Sequence, residues 1–368
     1  MSSHPAADPG ARRNGSPPPP PERHAYEQAL AARGIRLPLP HRAGWSQARR
    51  GVESLWLPLG APDGSNPGAV AVDVGRARSL PGYRHLRVER LGETLPRAVW
   101  RDAVAALAAL ARQEARVLLL SVEVFSRDPE TRATLGALLK GAGFTRAAHP
   151  RNWGVTLALD LRPSEAELLA SFSRSLRQRL TGLAKLPVAV RPVDDERCAP
   201  RLEELTRQAF QRTGGRYEAL WDWAGVIALS RRAPDASRLV GLFRTDRDGT
   251  DALLGFAWGW WNGASASYFA GATTRPSDLQ VPIAHALVWD LICWAKREGA
   301  DWFDLGGVSA GTTGSRDPVG GISDFKRQFS KETVEVAEDW TLEPRLVPAR
   351  LAALVSAGAA WFSRVARG

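Results

Sequence analysis

Late in the chain, the run Gly-Gly-Ile-Ser-Asp-Phe-Lys-Arg-Gln-Phe (320–329) delivers one amine, Lys326, between two aromatic rings. Phe325 and Phe329 lie four apart and Ile322 three earlier, so a short helical turn is expected to bury that stripe. Lys326 then falls just off the stripe, held by aromatic neighbours and free to reach a cleft. A cation fixed in this way can stabilise a developing oxyanion or bind a phosphate. A solvated lysine on an amphipathic turn also fits the spacing.

A second cationic element lies between Glu167 and Asp194, a stretch without any acidic residue. Leu176, Leu180 and Leu183 give it an apolar stripe, which leaves Arg174, Arg177, Arg179 and Lys185 on the exposed side. Uncompensated positive charge is best tolerated beside phosphates, whereas a solvated helix face is the alternative. The whole chain is also basic, with net charge +10 over 368 residues, which admits RNA, a nucleotide-linked precursor or an anionic lipid as partner. Cys198 and Cys293 have no partner spacing and read as buried thiols of a reducing compartment, and the six histidines form no ligand pair, so no metal is expected. Neither a Ser/His/Asp or Cys/His set nor a Gly-x-x-x-x-Gly-Lys loop is present, which argues against covalent catalysis and ATP-driven ligation.

Two mixed α/β halves position these residues. Residues 1–24, with prolines from Pro17 to Pro21, read as a disordered tail. In the first half, strands are expected at Glu53–Leu59, Ala69–Val74, Tyr83–Glu89, Val117–Phe125 and Val155–Leu161, with helices at Arg97–Gln113 and Glu130–Lys140. The second half opens with helices at Glu165–Lys185, Cys198–Gln211 and Glu218–Arg232. Strands follow at Ser237–Arg244, Ala252–Trp261 and Ser265–Thr273, then a helix at Pro282–Glu298 and strands at Trp302–Gly306 and Thr333–Trp340. Trp258 and Trp260 alternate with small residues and read as core. No apolar run is long enough to span a membrane and no secretory signal is seen, so a cytoplasmic protein is expected. The Ala-rich end, 341–368, reads as an amphipathic helix that packs on the first half or lies on the inner face of the plasma membrane.

The Asp-x-Gly-Gly strand end (Asp304 to Gly307) followed by Gly-Ile-x-x-Phe-Lys-x-x-Phe resembles the carboxy-terminal signature of the Fem family of aminoacyl-tRNA-dependent peptidoglycan peptidyltransferases. The resemblance covers about 45–340 and implies two GNAT-like (acetyltransferase-like) lobes, 25–161 and 162–340. The basic stretch resembles the family helix bearing Arg-x-x-Ile-x-x-Ala-x-Lys, so Arg174, Arg177, Arg179 and Lys185 are implied to bind tRNA. The family's phosphate-binding Trp-x-x-x-Lys matches Trp45 to Arg49, with arginine for lysine. Its second phosphate arginine, which precedes a tyrosine, matches Arg216-Tyr217. Tyr268 matches an aromatic-Gly strand end at the acceptor site, and Phe325, which flanks the catalytic Lys326, is implied to bind substrate. Tyr268 as a half-buried strand residue remains the alternative.

An acetyl-CoA enzyme needs a glycine-rich turn that cradles pyrophosphate before a helix. The matching segment here, from Thr274 to Leu287, has no glycine and places Pro282 where a free amide is wanted, so no CoA cofactor is expected. An aminoacyl ester on tRNA is already activated and needs positioning more than covalent catalysis. The implied reaction is therefore transfer of an amino acid from aminoacyl-tRNA to the stem peptide of a lipid-linked or UDP-linked peptidoglycan precursor, with Lys326 beside the oxyanion. Transfer to phosphatidylglycerol, a protein amino terminus or an exopolysaccharide is the first alternative. A lobe pair that only binds RNA or precursor is the second.

Overall fold

The computed structural model describes residues 20–60, 67–77, 79–92, 94–148, 154–213, 215, 217–309, 311–312, 317, 320–345, 348 and 355. In chain order, α1 (Pro20–Ala32) leads to β1 (Glu53–Leu59), β2 (Gly68–Arg76), β3 (Arg84–Leu91), α2 (Trp100–Gln113), β4 (Val117–Phe125), α3 (Pro129–Gly141) and β5 (Thr145–Arg146). There follow β6 (Val155–Asp160), α4 (Glu165–Ser171), α5 (Arg174–Thr181), β7 (Val188–Pro192), α6 (Ala199–Thr213) and α7 (Trp223–Arg232). The remainder is β8 (Ser237–Arg244), β9 (Leu253–Trp261), β10 (Ser265–Thr273), α8 (Ile283–Arg297), β11 (Trp302–Gly307), α9 (Gly320–Lys326), β12 (Glu332–Glu335) and β13 (Ala337–Leu342).

Two mixed sheets result. One is ordered β1-β2-β3-β4-β13-β5 and the other β12-β6-β11-β10-β9-β8-β7. Each sheet takes one strand from the far side of the chain. Strand β6, expected with the first half, pairs with β11 and β12, while β13 pairs with β4 and β5 of the first sheet. The single strand expected over 333–340 is thus two strands in different sheets, turning at buried Val336, whose N–H donates to Gly154 O at 2.9 Å. Thr341 and Leu342, expected in the carboxy-terminal helix, end β13; most of that segment, from Leu346 on, lies outside the described residues. The expected tail also stops early, because α1 starts at Pro20, where proline suits a first helical turn, and Tyr26 Oη bonds Leu59 O and Gly68 O.

Local chemistry explains the other departures. The helix expected over 165–185 breaks into α4, α5 and a 3-10 turn at Gly182–Lys185, because Ser164 and Ser173 each cap a new start. Between them Phe172 is extended and buried against Trp289 and Phe329. Residues 218–222, expected to be helical, are not, because their backbone bonds the chain around Arg49: Arg50 N to Leu220 O and Asp222 N to Ala48 O, both 3.0 Å. Asp222 then caps α7. Strand β9 is buried throughout; Gly255 and Gly259 let α8 sit close, since a Cβ there would meet Ile283 and Leu291, while Trp258 and Trp260 fill the opposite core.

Candidate active site

Strands β10 and β11 run parallel for three residues only, Ser265 to Ser267 against Trp302 to Asp304, and then part. Strand β10 bulges at Tyr268–Ala270 and β11 at Asp304–Gly307, so the sheet opens where both strands have unpaired backbone. Helix α9 delivers Lys326 into this split. Its buried side is Gly320, Ser323 and Lys326, a phase that leaves Ile322 45% exposed. The expected stripe is therefore rotated: Ile322 faces out, Lys326 is buried, and only Phe329 of the stripe is fully buried. The cause is polar, since Ser323 Oγ accepts from Ser309 N at 3.0 Å, and the Lys326 amine donates to Gly307 O at 2.9 Å. Gly306 has φ +83°, a left-handed backbone that favours glycine, and a Cβ there would stand 2.9 Å from the Lys326 Nζ and push the amine aside.

Burial pushes the Lys326 amine down to about 8, with the Asp304 carboxylate opposing the shift. Asp304 is itself buried and accepts from Thr156 Oγ1, from Gly306 N at 2.7 Å, from Ser267 Oγ at 3.3 Å and from Arg90 Nη2 at 3.4 Å. Arg90 reaches across from the first sheet, also donating to Ser267 Oγ at 3.0 Å, and its guanidinium lies 3.8 Å from the Phe125 ring centroid. Its backbone φ of 52° is unusual for a bulky residue, a local strain of the kind found at working sites.

Above this cluster, the two lobes enclose a cavity of about 670 Å³. Of the expected substrate residues it gathers Arg49, Tyr217 and Tyr268, together with the catalytic candidate Lys326. Phe325 instead packs against His285 and Phe329, with centroids 5.0 and 5.6 Å apart. Arg216 lies outside the described residues. Arg49 is engaged from three sides: Glu89 at 3.6 Å, Asp73 at 3.9 Å and the Trp221 ring at 4.8 Å. Arg87 also holds Glu89, at 3.1 Å. Burial raises Asp73 to about 6, helped by Glu89, and raises Glu123 to about 7. Burial likewise lifts Tyr268 to about 12. Four large exposed hydrophobics, Phe210, Leu220, Phe269 and Ile322, line the same cavity, so a charged floor lies below apolar walls. Nothing local in the sequence marks Arg87, Glu89, Arg90, Glu123, Trp221 or Trp260 as cavity residues; only Asp304 stood inside a motif.

The basic stretch does not line the cavity. Arg174 and Lys185 are exposed, and Arg179 Nη1 meets His285 Nε2 and Gln328 Oε1 at 3.3 and 3.2 Å. Arg177 differs, because its Nη1 donates to Ala170 O at 2.9 Å and to Phe172 O, satisfying carbonyls at the end of α4. Before α8, Ile283 N donates to Val281 O at 2.9 Å and Pro282 takes the cap position without a side-chain hydrogen bond. No group of three or more potential metal ligands occurs among the described residues, and no described helix is long and apolar enough to cross a membrane.

A family model described as an acetyltransferase (GNAT) domain matches residues 170–327. No curated protein sequence matches the chain. Among solved structures, FemX superposes with a TM-score of 0.62 at 14% identity, over 88% of this chain and 95% of its own. L-PGS from Bacillus licheniformis gives 0.56 at 13% identity, over 94% and 98%. The C-terminal domain of a protein named as a lysylphosphatidylglycerol synthetase, from Agrobacterium fabrum, gives 0.51 at 14%, over 92% and 97%. Two sheets that exchange strands, with a split in the second that receives Lys326, are thus the Fem-type twin GNAT fold.

Proposed function

We propose that the protein transfers an amino acid from aminoacyl-tRNA to the amine of a peptidoglycan stem peptide. The observation that carries this reading is the buried Lys326 amine at the strand split, facing a cavity of about 670 Å³ between the lobes. Attack of the acceptor amine on the ester carbonyl builds a tetrahedral oxyanion. The Lys326 ammonium, fixed by Gly307 O and biased towards charge by Asp304, stabilises that oxygen without having to reorganise. Tyr268, neutral at any physiological pH, offers a hydroxyl at the same split. Arg49 and Tyr217 would contact the precursor, and Arg174, Arg179 and Lys185 would carry the tRNA. The proline-capped entry to α8, with its first amide already bonded, supports a donor other than CoA.

A second reading, transfer to phosphatidylglycerol, is favoured by the apolar walls of Phe210, Leu220, Phe269 and Ile322, and by likeness to a protein named as a lysylphosphatidylglycerol synthetase. The two readings separate in one experiment. Charged tRNA is incubated with the protein and either a UDP-linked muropeptide, a lipid-linked precursor or phosphatidylglycerol vesicles, and products are read by mass. An aminoacylated muropeptide supports the first reading, and an aminoacylated lipid the second. Acetylation from acetyl-CoA with no aminoacyl product would overturn both.

A further inference from the structure

We propose that Glu123 is the general base of this transfer, taking the proton that the attacking amine sheds and releasing it through a second cavity. The inference rests on the transfer reading above and deepens it. Glu123 stands where two cavities meet: it lines the inter-lobe cavity with Lys326, and also a cavity of about 240 Å³ on the first sheet with Ser121, Asp339, Thr341 and Glu343. Its carboxylate is aimed by Arg90, whose backbone N–H donates to Glu123 Oε2 at 3.0 Å. The same Arg90 holds Asp304 and Ser267 through its guanidinium, so base and cation are fixed to one scaffold.

The proton balance demands such a group. An acceptor amine arrives as an ammonium and must end as an amide, which loses two protons. The nitrogen lone pair forms the new N–C bond, and collapse of the tetrahedral adduct breaks the C–O bond to the ribose. The ribose oxygen takes one proton; the other must leave the site once per turnover. Two neighbouring carboxylates are committed: Asp304 to four donors, and Glu89 to Arg49 and Arg87. The charged groups facing Glu123 are Arg87, Glu89 and Arg90 from β3, Asp339 directly opposite it on β13, and Glu343 beyond that strand. Burial outweighs the two arginines and holds the carboxyl up at about 7, matched to proton exchange near neutral pH.

Two variants test this. Glu123→Gln keeps an oxygen for the Arg90 N–H but cannot take a proton. Its turnover should fall about 10²–10⁴-fold, the acceptor KM should change little, and the acid limb of the kcat profile should vanish. Glu123→Ala opens the floor into the outer cavity, so added formate or acetate should restore turnover in proportion to the free base. A wild-type rate and acid limb in Glu123→Gln would overturn the assignment, as would a folded Glu123→Ala that no carboxylate rescues. If the wild-type protein transfers no amino acid at all, the transfer reading fails and takes this one with it; transfer with an unaltered profile in the variant removes this one alone.

Discussion

Replacing Lys326 by Met should make the protein more stable, and the size of the effect follows from the site. The amine sits at about 8 instead of 10.5 because burial disfavours its charge. Below pH 8 the folded state therefore bears the whole cost of a buried ammonium, roughly 3 kcal/mol for a shift of this size. Between about pH 8 and 10.5 the unfolded chain holds the proton that the folded chain has lost, so stability rises with pH across that window. Lys326→Met removes the penalty and keeps most of the stem's volume. It also leaves Gly307 O without its donor, which costs about 1 kcal/mol or somewhat more. The net expectation is a gain of about 1–2 kcal/mol near neutrality, together with loss of the rise above pH 8. Urea unfolding of both proteins at several pH values from neutral to alkaline reads this directly through the midpoint. A less stable variant that keeps the wild-type pH dependence would refute a buried charge at this position.

Three further outcomes are expected. Gly306→Ala should cost about 1–2 kcal/mol for its left-handed backbone and, by pushing the Lys326 amine aside, lower turnover by at least about tenfold; a wild-type kcat would show that the close approach has no role. Neutralising Arg174, Arg179 and Lys185 together should flatten the salt dependence of tRNA binding by about two units of slope, whereas Arg177→Gln should lower stability through the α4 carbonyls it serves; an unaltered slope in the triple variant rules that surface out. Residues 25–161 expressed alone should show no cooperative unfolding, because β13 is missing from between β4 and β5 and β6 has lost both neighbours; a sharp transition would refute the interlocking.

Much of this was legible in the sequence because it is local. Strands such as β4 and β8 carry their own apolar pattern, and the glycine-bent motif around Lys326 marks itself. The phase of α9 was not legible, since it is set by Ser309 and by the carbonyl of Gly307, partners reached only after the loop closes. Likewise Arg90 and Asp304 stand 214 residues apart, and neither has a neighbour that hints at the other. The exchange of β6 and β13 escaped because an alternating strand states its two faces and not the sheet it joins. Arg177 looked like its neighbours on an arginine-rich face, yet the break at Phe172 turned it inward to cap carbonyls.

The most direct measurement is single-turnover transfer from charged tRNA to a muropeptide precursor, by wild type and Lys326→Met, with precursor binding measured separately. A cation that acts on the developing oxyanion predicts a rate lower by about 10²–10³-fold, roughly 3–4 kcal/mol, with precursor affinity nearly unchanged. Transfer by Lys326→Met at the wild-type rate, or affinity and rate falling together, would contradict it.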